Sequence, residues 1–405
     1  MKTYIFITYS IVNIGGAQLY VNSKVKYLES LGWQVKVYSV FVGRIMIEGL
    51  KRFANDIIPE LAVSPMAYSN QKREQIVNRM SEELYGNDEI IIESNYNSLS
   101  IWGEMLASQN QAKHIIYAVD ESIESQKELF PYFKFKYDRG EFAVIKSQII
   151  EDFFKPYFKV EDAENHVLRV VYSLKQIDDV DFDIDNIDTT RYTIGVVGRL
   201  NKPFVLKVST DLKEYILNNP FKSFNVVYIG GDETGENITA LIEKLFKNVS
   251  NCNLYMVGYR FPMPRKLMRL FDVCFSNSGA ARAVANERIL TISIDSNDLN
   301  PIGVLGITTI NTVFRTKEPI MTVSYWLDEL MNNKYNKNQI KNVDVVPEKL
   351  DNLKAHLEYI RKSATEKEYY TEFKKKHILK RTVLNLFGVT GYMRLYNIVA
   401  NIAKR

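Results

Sequence analysis

Short apolar runs separated by helical patterns occur twice along this chain, and that alternation restricts the fold more than any other feature. The first series opens with "TYIFIT" and passes Gly15-Gly16. It then shows helix-like apolar spacing from Ala17 to Leu31 and, after Gly32, the alternating strand "QVKVYSV". It continues through "EIIIES", a helical "SLSIWGEMLASQ", "KHIIYAVDES", the amphipathic "IESQKELFPYFKFKYDRGE", "FAVIKS" and a helix from Gln148. A second series starts at Tyr192 with strands "YTIGVVG", "FNVVYIGG", "NLYMVG", "DVCFSN" and "ILTISID", joined by helices starting near Lys202, Glu236, Pro264 and Ala281. This pattern predicts parallel sheets covered on both faces. The fold class is therefore α/β, with two Rossmann-like, doubly wound domains and closing helices. Such sheets bind ligands beyond the carboxyl ends of their strands, which for paired domains means the cleft between them.

At 405 residues the chain exceeds one ordinary core, and two domains of comparable size are expected. The predicted boundaries are 1–176, an acidic linker over 177–191, 192–347, and basic helices over 348–405. "QIDDVDFDIDNIDTTR" lacks glycine and shows neither period. Its Asp-X-Asp spacings resemble a metal–nucleotide motif of a different fold, but no apolar flank typical of such a site surrounds them. Apolar content of 46% and charged content of 25% are those of a globular chain, and a net charge of +4 gives no argument for nucleic acid. Cys252 and Cys274 sit in apolar runs and read as buried free thiols, in keeping with a cytoplasmic protein. The N-terminal run reads as a first core strand, not a leader, and no stretch approaches the ~20 apolar residues that span a bilayer.

Several strand ends carry candidate chemistry. In "GVVGRLNKPF", Gly195 and Gly198 let the backbone turn, and Arg199 and Lys202 project beside a helix start. Two cations there suit a diphosphate, the alternative being a solvated pair at a domain edge. In "CFSNSGAARAVANE", Ser276, Asn277 and Ser278 are capping candidates, while Gly279 and Ala280 permit close backbone approach to a phosphate or sugar, or simply form a capped helix. "SIDSNDLNPIGVLGITTINTVFR" has too many small and hydroxyl residues for a core strand after Asp295. Gly303, Gly306, Thr308 and Thr309 there form either a ligand loop or a surface turn. Gly258, Tyr259 and Arg260 follow a strand, where an aromatic or backbone group would meet a nucleobase. Gly15-Gly16 precedes a helix, as either a tight turn or an approach for an anionic or polyhydroxyl ligand. Asp120 and Glu121 follow a strand and offer acid/base chemistry or an exposed capping pair. His114 begins that strand at the far end, and His166, His356 and His377 lack metal-ligand spacing.

Together, Gly15-Gly16, "VGRLNK", "VVYIGG", "MVG" and "FSNSGAARA" resemble a GT-B glycosyltransferase, nearest to the family-four-like enzymes of bacterial surface polysaccharide synthesis. The resemblance runs to about Arg315. It implies transfer of a sugar from a nucleotide-diphosphate sugar of UDP or GDP type to a glycan or lipid-linked acceptor, with retention and with neither a bound metal nor another cofactor. It further implies that Arg199 and Lys202 stabilise the departing diphosphate, and that Gly15 and Gly16 let the first-domain loop approach the donor. One departure stands out. The family's two glutamates, eight residues apart, are not matched: Cys274 falls at the first position, Arg282 at the second, and Glu287 replaces the motif's glycine. A non-catalytic GT-B scaffold for an active partner is therefore the alternative expectation. The tail, with Lys374-Lys375-Lys376 and Lys380-Arg381, reads either as a basic amphipathic surface for anionic lipid or as a stripe packed on the first domain.

Overall fold

The opening apolar run forms β1 (Lys2–Thr8), after which come α1 (Gly16–Ser30), β2 (Gln34–Ser39), α2 (Asn70–Ser81), β3 (Glu89–Ser94), α3 (Ser98–Asn110), β4 (Lys113–Ala118), α4 (Phe130–Asp138), β5 (Phe142–Val144) and α5 (Ser147–Phe154). The computed structural model describes residues 1–82, 84, 86, 88–120, 123, 127–169, 176–181, 187–231, 237–341, 343, 350–363, 366–373 and 381–392. Its contacts divide the chain into two units, Met1–Ser173 with Glu348–Arg405, and Leu174–Pro347.

The first unit is a parallel five-stranded sheet in the order β2-β1-β3-β4-β5. Its strands are buried on both faces, as parallel strands require. Ile5, Ile7 and Ile92 meet Leu99 and Trp102 of α3 on one face. Tyr4 and Glu93 belong to the other set of the two-residue alternation. There Lys24 of α1 donates to Glu93 Oε2 at 2.5 Å, Tyr4 donates to the same oxygen at 2.7 Å, and Tyr20 donates to Oε1 at 2.8 Å. The segment after the second unit completes this face. His356, on α11 (Leu350–Lys362), donates its Nε2–H to the Arg169 carbonyl and turns Nδ1 toward the Tyr20 hydroxyl at 3.2 Å. A second buried network places Glu104 between His114, at 2.7 Å, and Lys136, at 2.9 Å, and there the Tyr370 backbone N–H also donates to Glu104. His114 is thus consumed in the core.

The second unit contains β6 (Ile177–Asp178), β7 (Tyr192–Val197), α6 (Pro203–Leu217), β8 (Phe224–Ile229), α7 (Ile238–Phe246), β9 (Cys252–Gly258), β10 (Met263–Pro264), α8 (Arg265–Met268), β11 (Val273–Ser276), α9 (Ser278–Asn286), β12 (Thr291–Ile294), β13 (Pro301–Val304) and α10 (Val323–Met331). Six strands form one sheet in the order β13-β12-β11-β7-β8-β9, parallel except for β13, which runs antiparallel to β12. One expectation needs correction. The segment after Asp295 does contain a buried strand, β13, because it needs only one partner at the sheet edge. The described residues of the acidic stretch 177–191 make contacts within the second unit. Ile177–Asp178 pairs with Met263–Pro264, Asp179 binds Arg265, and Asp188 binds Arg191.

A last described helix, α12 (residues 381–392), buries Leu384 against Val63 and Ala67 of the first unit. That is the packed-stripe expectation for the tail. Lys374, Lys375, Lys376 and Lys380 lie outside the described residues. Among the described residues no helix is long and apolar enough to cross a membrane.

Candidate functional site

In the second sheet the chain winds outward from β7 through β8 and β9, then returns to the other side of β7 with β11. The β7/β11 boundary is therefore the topological switch point, where open α/β sheets leave a crevice at the carboxyl edge. Two helices start there, α6 after Val197 and α9 after Ser276. Neither has a side-chain cap; Pro203 opens α6 without an N–H and the Ser278 N–H is taken up by Thr312, so what the start of α9 offers a ligand is the N–H groups of Gly279 and Ala280.

Lys202 and Asn277 are the residues immediately before these helices, and they meet: Lys202 Nζ donates to Asn277 Oδ1 at 3.1 Å. Asn277 is buried, and its Nδ2 donates to the Ile294 carbonyl at 2.8 Å and to Ser296 Oγ at 3.0 Å. The ammonium is thus positioned by a side chain that is itself fixed by β12. Arg199, three residues earlier, is exposed on the same edge. Ser278 has φ of 57°, an unusual conformation for a residue with a side chain, and its N–H donates to the Thr312 carbonyl at 2.7 Å. Asn201 Oδ1 and Arg282 Nε, on the two loop–helix segments that leave this edge, are buried without a hydrogen-bond partner. Buried polar atoms are normally satisfied, so these two mark the edge as incomplete.

Glycines shape the rest of the edge. The Gly198 N–H donates to Ile229, Leu200 to Gly231, and Gly230 to Gly258, which stitches the loops after β7, β8 and β9 together. A Cβ on Gly230 would lie 1.8 Å from the Gly198 carbonyl oxygen, so no other residue fits. A Cβ on Gly231 would lie 2.1 Å from the Tyr259 ring, which therefore rests directly on the backbone at the end of β8. Gly258 has φ of 71° and starts the turn into Tyr259. From β11 to β9 is three strand spacings, about 14 Å, enough for an extended ligand.

The structure thus gathers Gly198, Arg199, Lys202, Gly258, Tyr259, Ser278, Gly279 and Ala280 along one edge of the second unit. Ala280 packs its methyl on the core, leaving only its backbone for a ligand. Thr308 and Thr309 do not join them. Because β13 is antiparallel, its end and the following turn lie at the opposite edge, with the Leu305 N–H on the Thr291 carbonyl. Thr308 Oγ1 accepts from the Val304 N–H, and Thr309 Oγ1 donates to Glu318, so both hydroxyls close the turn. The chain then runs back and delivers Thr312 to Ser278, a residue that sequence reasoning missed.

The family-motif positions are also accounted for. Cys274 is buried inside β11, and burial raises its thiol pKa well above the ordinary value. Glu287 follows the far end of α9, where both its oxygens accept from Arg265 at 2.8 and 3.0 Å.

In the first unit Gly15 is the residue before α1 and again supplies no side-chain cap, with Gly16 as the first helical residue. A Cβ on Gly15 would lie 2.7 Å from Gln18 Oε1, the movable end of a side chain. Asp120 is exposed beyond β4, at the same sheet edge. Its charge adds to the burial that raises Tyr9 to about 12. Glu121 lies outside the described residues. Among the described residues no three His, Cys, Asp or Glu side chains cluster as a metal site would need.

No family model and no curated protein matches the chain. Solved structures do. A glycosyltransferase from Rickettsia africae ESF-5 is similar at 15% identity and TM-score 0.60, over 89% of this chain and 98% of that one. A lipopolysaccharide outer core galactosyltransferase is similar at 15% identity and TM-score 0.51, over 89% and 99%. The fold is GT-B. It is not confined to transferases: a putative UDP-N-acetylglucosamine 2-epimerase from Listeria monocytogenes is similar at 11% identity and TM-score 0.50, over 89% and 96%.

Proposed function

We propose that this GT-B chain is a glycosyltransferase that moves a sugar from a nucleotide-diphosphate sugar to a glycan or lipid-linked acceptor in cell-surface glycan synthesis. The observation that carries the reading is Lys202, held by Asn277 between two uncapped helix starts at the switch point. Breaking the donor's anomeric bond leaves negative charge on the diphosphate, and a pre-positioned cation with aligned N–H groups stabilises that charge without reorganising. Arg199, from the exposed loop, supplies the second cation, and Tyr259 offers a ring along the edge for the base. Gly15, Gly16 and Asp120 serve the sugar side, and a retaining course without a metal belongs to the same reading.

In the same reading the chain works at the inner face of the plasma membrane. Leu386 is 70% exposed and Phe387 59% exposed on α12, beside exposed Arg381, while Leu384 packs inward. An outward apolar pair on a helix that opens with Arg381, preceded in sequence by Lys374-Lys375-Lys376 and Lys380, suits insertion between anionic headgroups.

A panel of nucleotide sugars with product analysis tests the activity. Sugar transfer or slow donor hydrolysis supports it. Interconversion of the free donor would make the chain an epimerase, and no turnover with any donor would leave a binding scaffold.

A further inference from the structure

Of the three residues that stand at the family-motif positions, Cys274 is buried in β11 and Glu287 is bound through both oxygens by Arg265. Arg282 is spent on neither packing nor pairing. It is half-buried in α9, and among the described residues no group accepts from its guanidinium. Its Nε is enclosed and without a hydrogen-bond partner. A guanidinium only donates, so an enclosed N–H with no acceptor costs stability and is tolerated where a ligand supplies the acceptor.

The place of Arg282 on the helix decides which ligand. At about 100° per residue, Ala281 and Ala285 face one core cluster and Ala280, Ala283 and Val284 another. Arg282 is left on the face of Ser278 and Gly279, with exposed Asn286. Helical side chains lean toward the N-terminus and cover the turn before their own Cα, so this one covers the start of α9. The ground there is open: a Cβ on Gly279 would meet only Gln176 Nε2, at 3.7 Å. Lys202 reaches the same start through Asn277 Oδ1. We propose that Arg282 is a further donor-binding residue, whose guanidinium takes phosphate oxygens of the diphosphate at the start of α9, a role that rests on the nucleotide-sugar reading. Its planar fork matches two oxygens of one phosphate.

Calorimetric titration of UDP, GDP and ADP into the full chain, Arg282→Gln and Arg282→Lys tests the role. A diphosphate that binds the wild type should bind Arg282→Gln about tenfold more weakly and with less dependence on salt, and Arg282→Lys should keep part of the affinity. The urea midpoint of ligand-free Arg282→Gln should be unchanged or raised, because an unpaired, half-buried charge is gone. Equal affinity in Arg282→Gln overturns the assignment. So does a loss with unaltered salt dependence, which puts Arg282 on the sugar or base, or a loss that comes with a lowered midpoint. Wild-type binding that Arg282→Gln leaves intact removes this role alone, whereas silence of the wild type toward every diphosphate removes the nucleotide-sugar reading beneath it.

Discussion

A single glycine shows how tightly the candidate edge is built. Gly230, with φ of 158°, packs its α-carbon against the Gly198 carbonyl, and a methyl group would overlap that oxygen. Gly230→Ala should cost about 3 kcal/mol or more of stability, read as a lower urea midpoint at unchanged slope. Gly279 differs: its added Cβ meets only Gln176 Nε2 at 3.7 Å. Gly279→Ala should fold normally, so a weakened nucleotide interaction there would report close ligand approach. "VGRLNK" and "FSNSGAARA" were readable from sequence because small residues beside cations before a helix constrain the backbone locally. The Lys202–Asn277 hydrogen bond was not, since it joins residues 75 apart. Thr312 was hidden for a related reason. Thr308 and Thr309 have the hydroxyl signal, but the direction of β13 decides which threonine returns to the edge.

At the scale of elements, the parallel strands announce themselves by apolar runs that need both faces covered. The short β6 and β10 do not, because each is set by a partner distant in sequence, and β13 is hidden because it is a four-residue edge strand with a single, antiparallel partner. The closing segment is likewise legible as helix but not as a plug for buried charge. His356 of α11 is lowered to about 3, first by burial and then by the Lys24 charge, against the Arg169 carbonyl. Its folded pKa is below the ordinary 6.5, so the unfolded chain binds more protons as pH falls below that value. The stability that neutral His356 contributes is complete above about pH 6.5 and is lost toward pH 3, at about 1.4 kcal/mol per pH unit. His114 is also lowered, by burial and then by Lys136, and adds in the same direction. Urea midpoints between pH 7.5 and 5 should therefore fall with acid, and His356→Gln should flatten that slope. Lys24→Met should cost about 3–5 kcal/mol at neutral pH, since it leaves Glu93 buried without its cation.

For the whole molecule, two βα series in one chain were enough to anticipate the GT-B fold, and the similar structures carry that fold at 15% identity or less. Fold alone does not choose between transfer and epimerisation. The tail combines a packed and an exposed face, and Leu386→Asp with Phe387→Asp should release the protein from anionic vesicles at low salt without shifting its urea midpoint. Retained flotation would leave α12 as packing only. The central claim is that the β7/β11 edge of the second unit holds a nucleoside diphosphate through Lys202. Its most direct measurement is calorimetric titration of UDP, GDP, ADP and CMP into the wild type and into Lys202→Ala. The account predicts saturable heat with at least one diphosphate, weaker heat with the monophosphate, and a loss of affinity of about 10²-fold in the folded variant. Silence from every nucleotide, or equal affinity in Lys202→Ala, would contradict it.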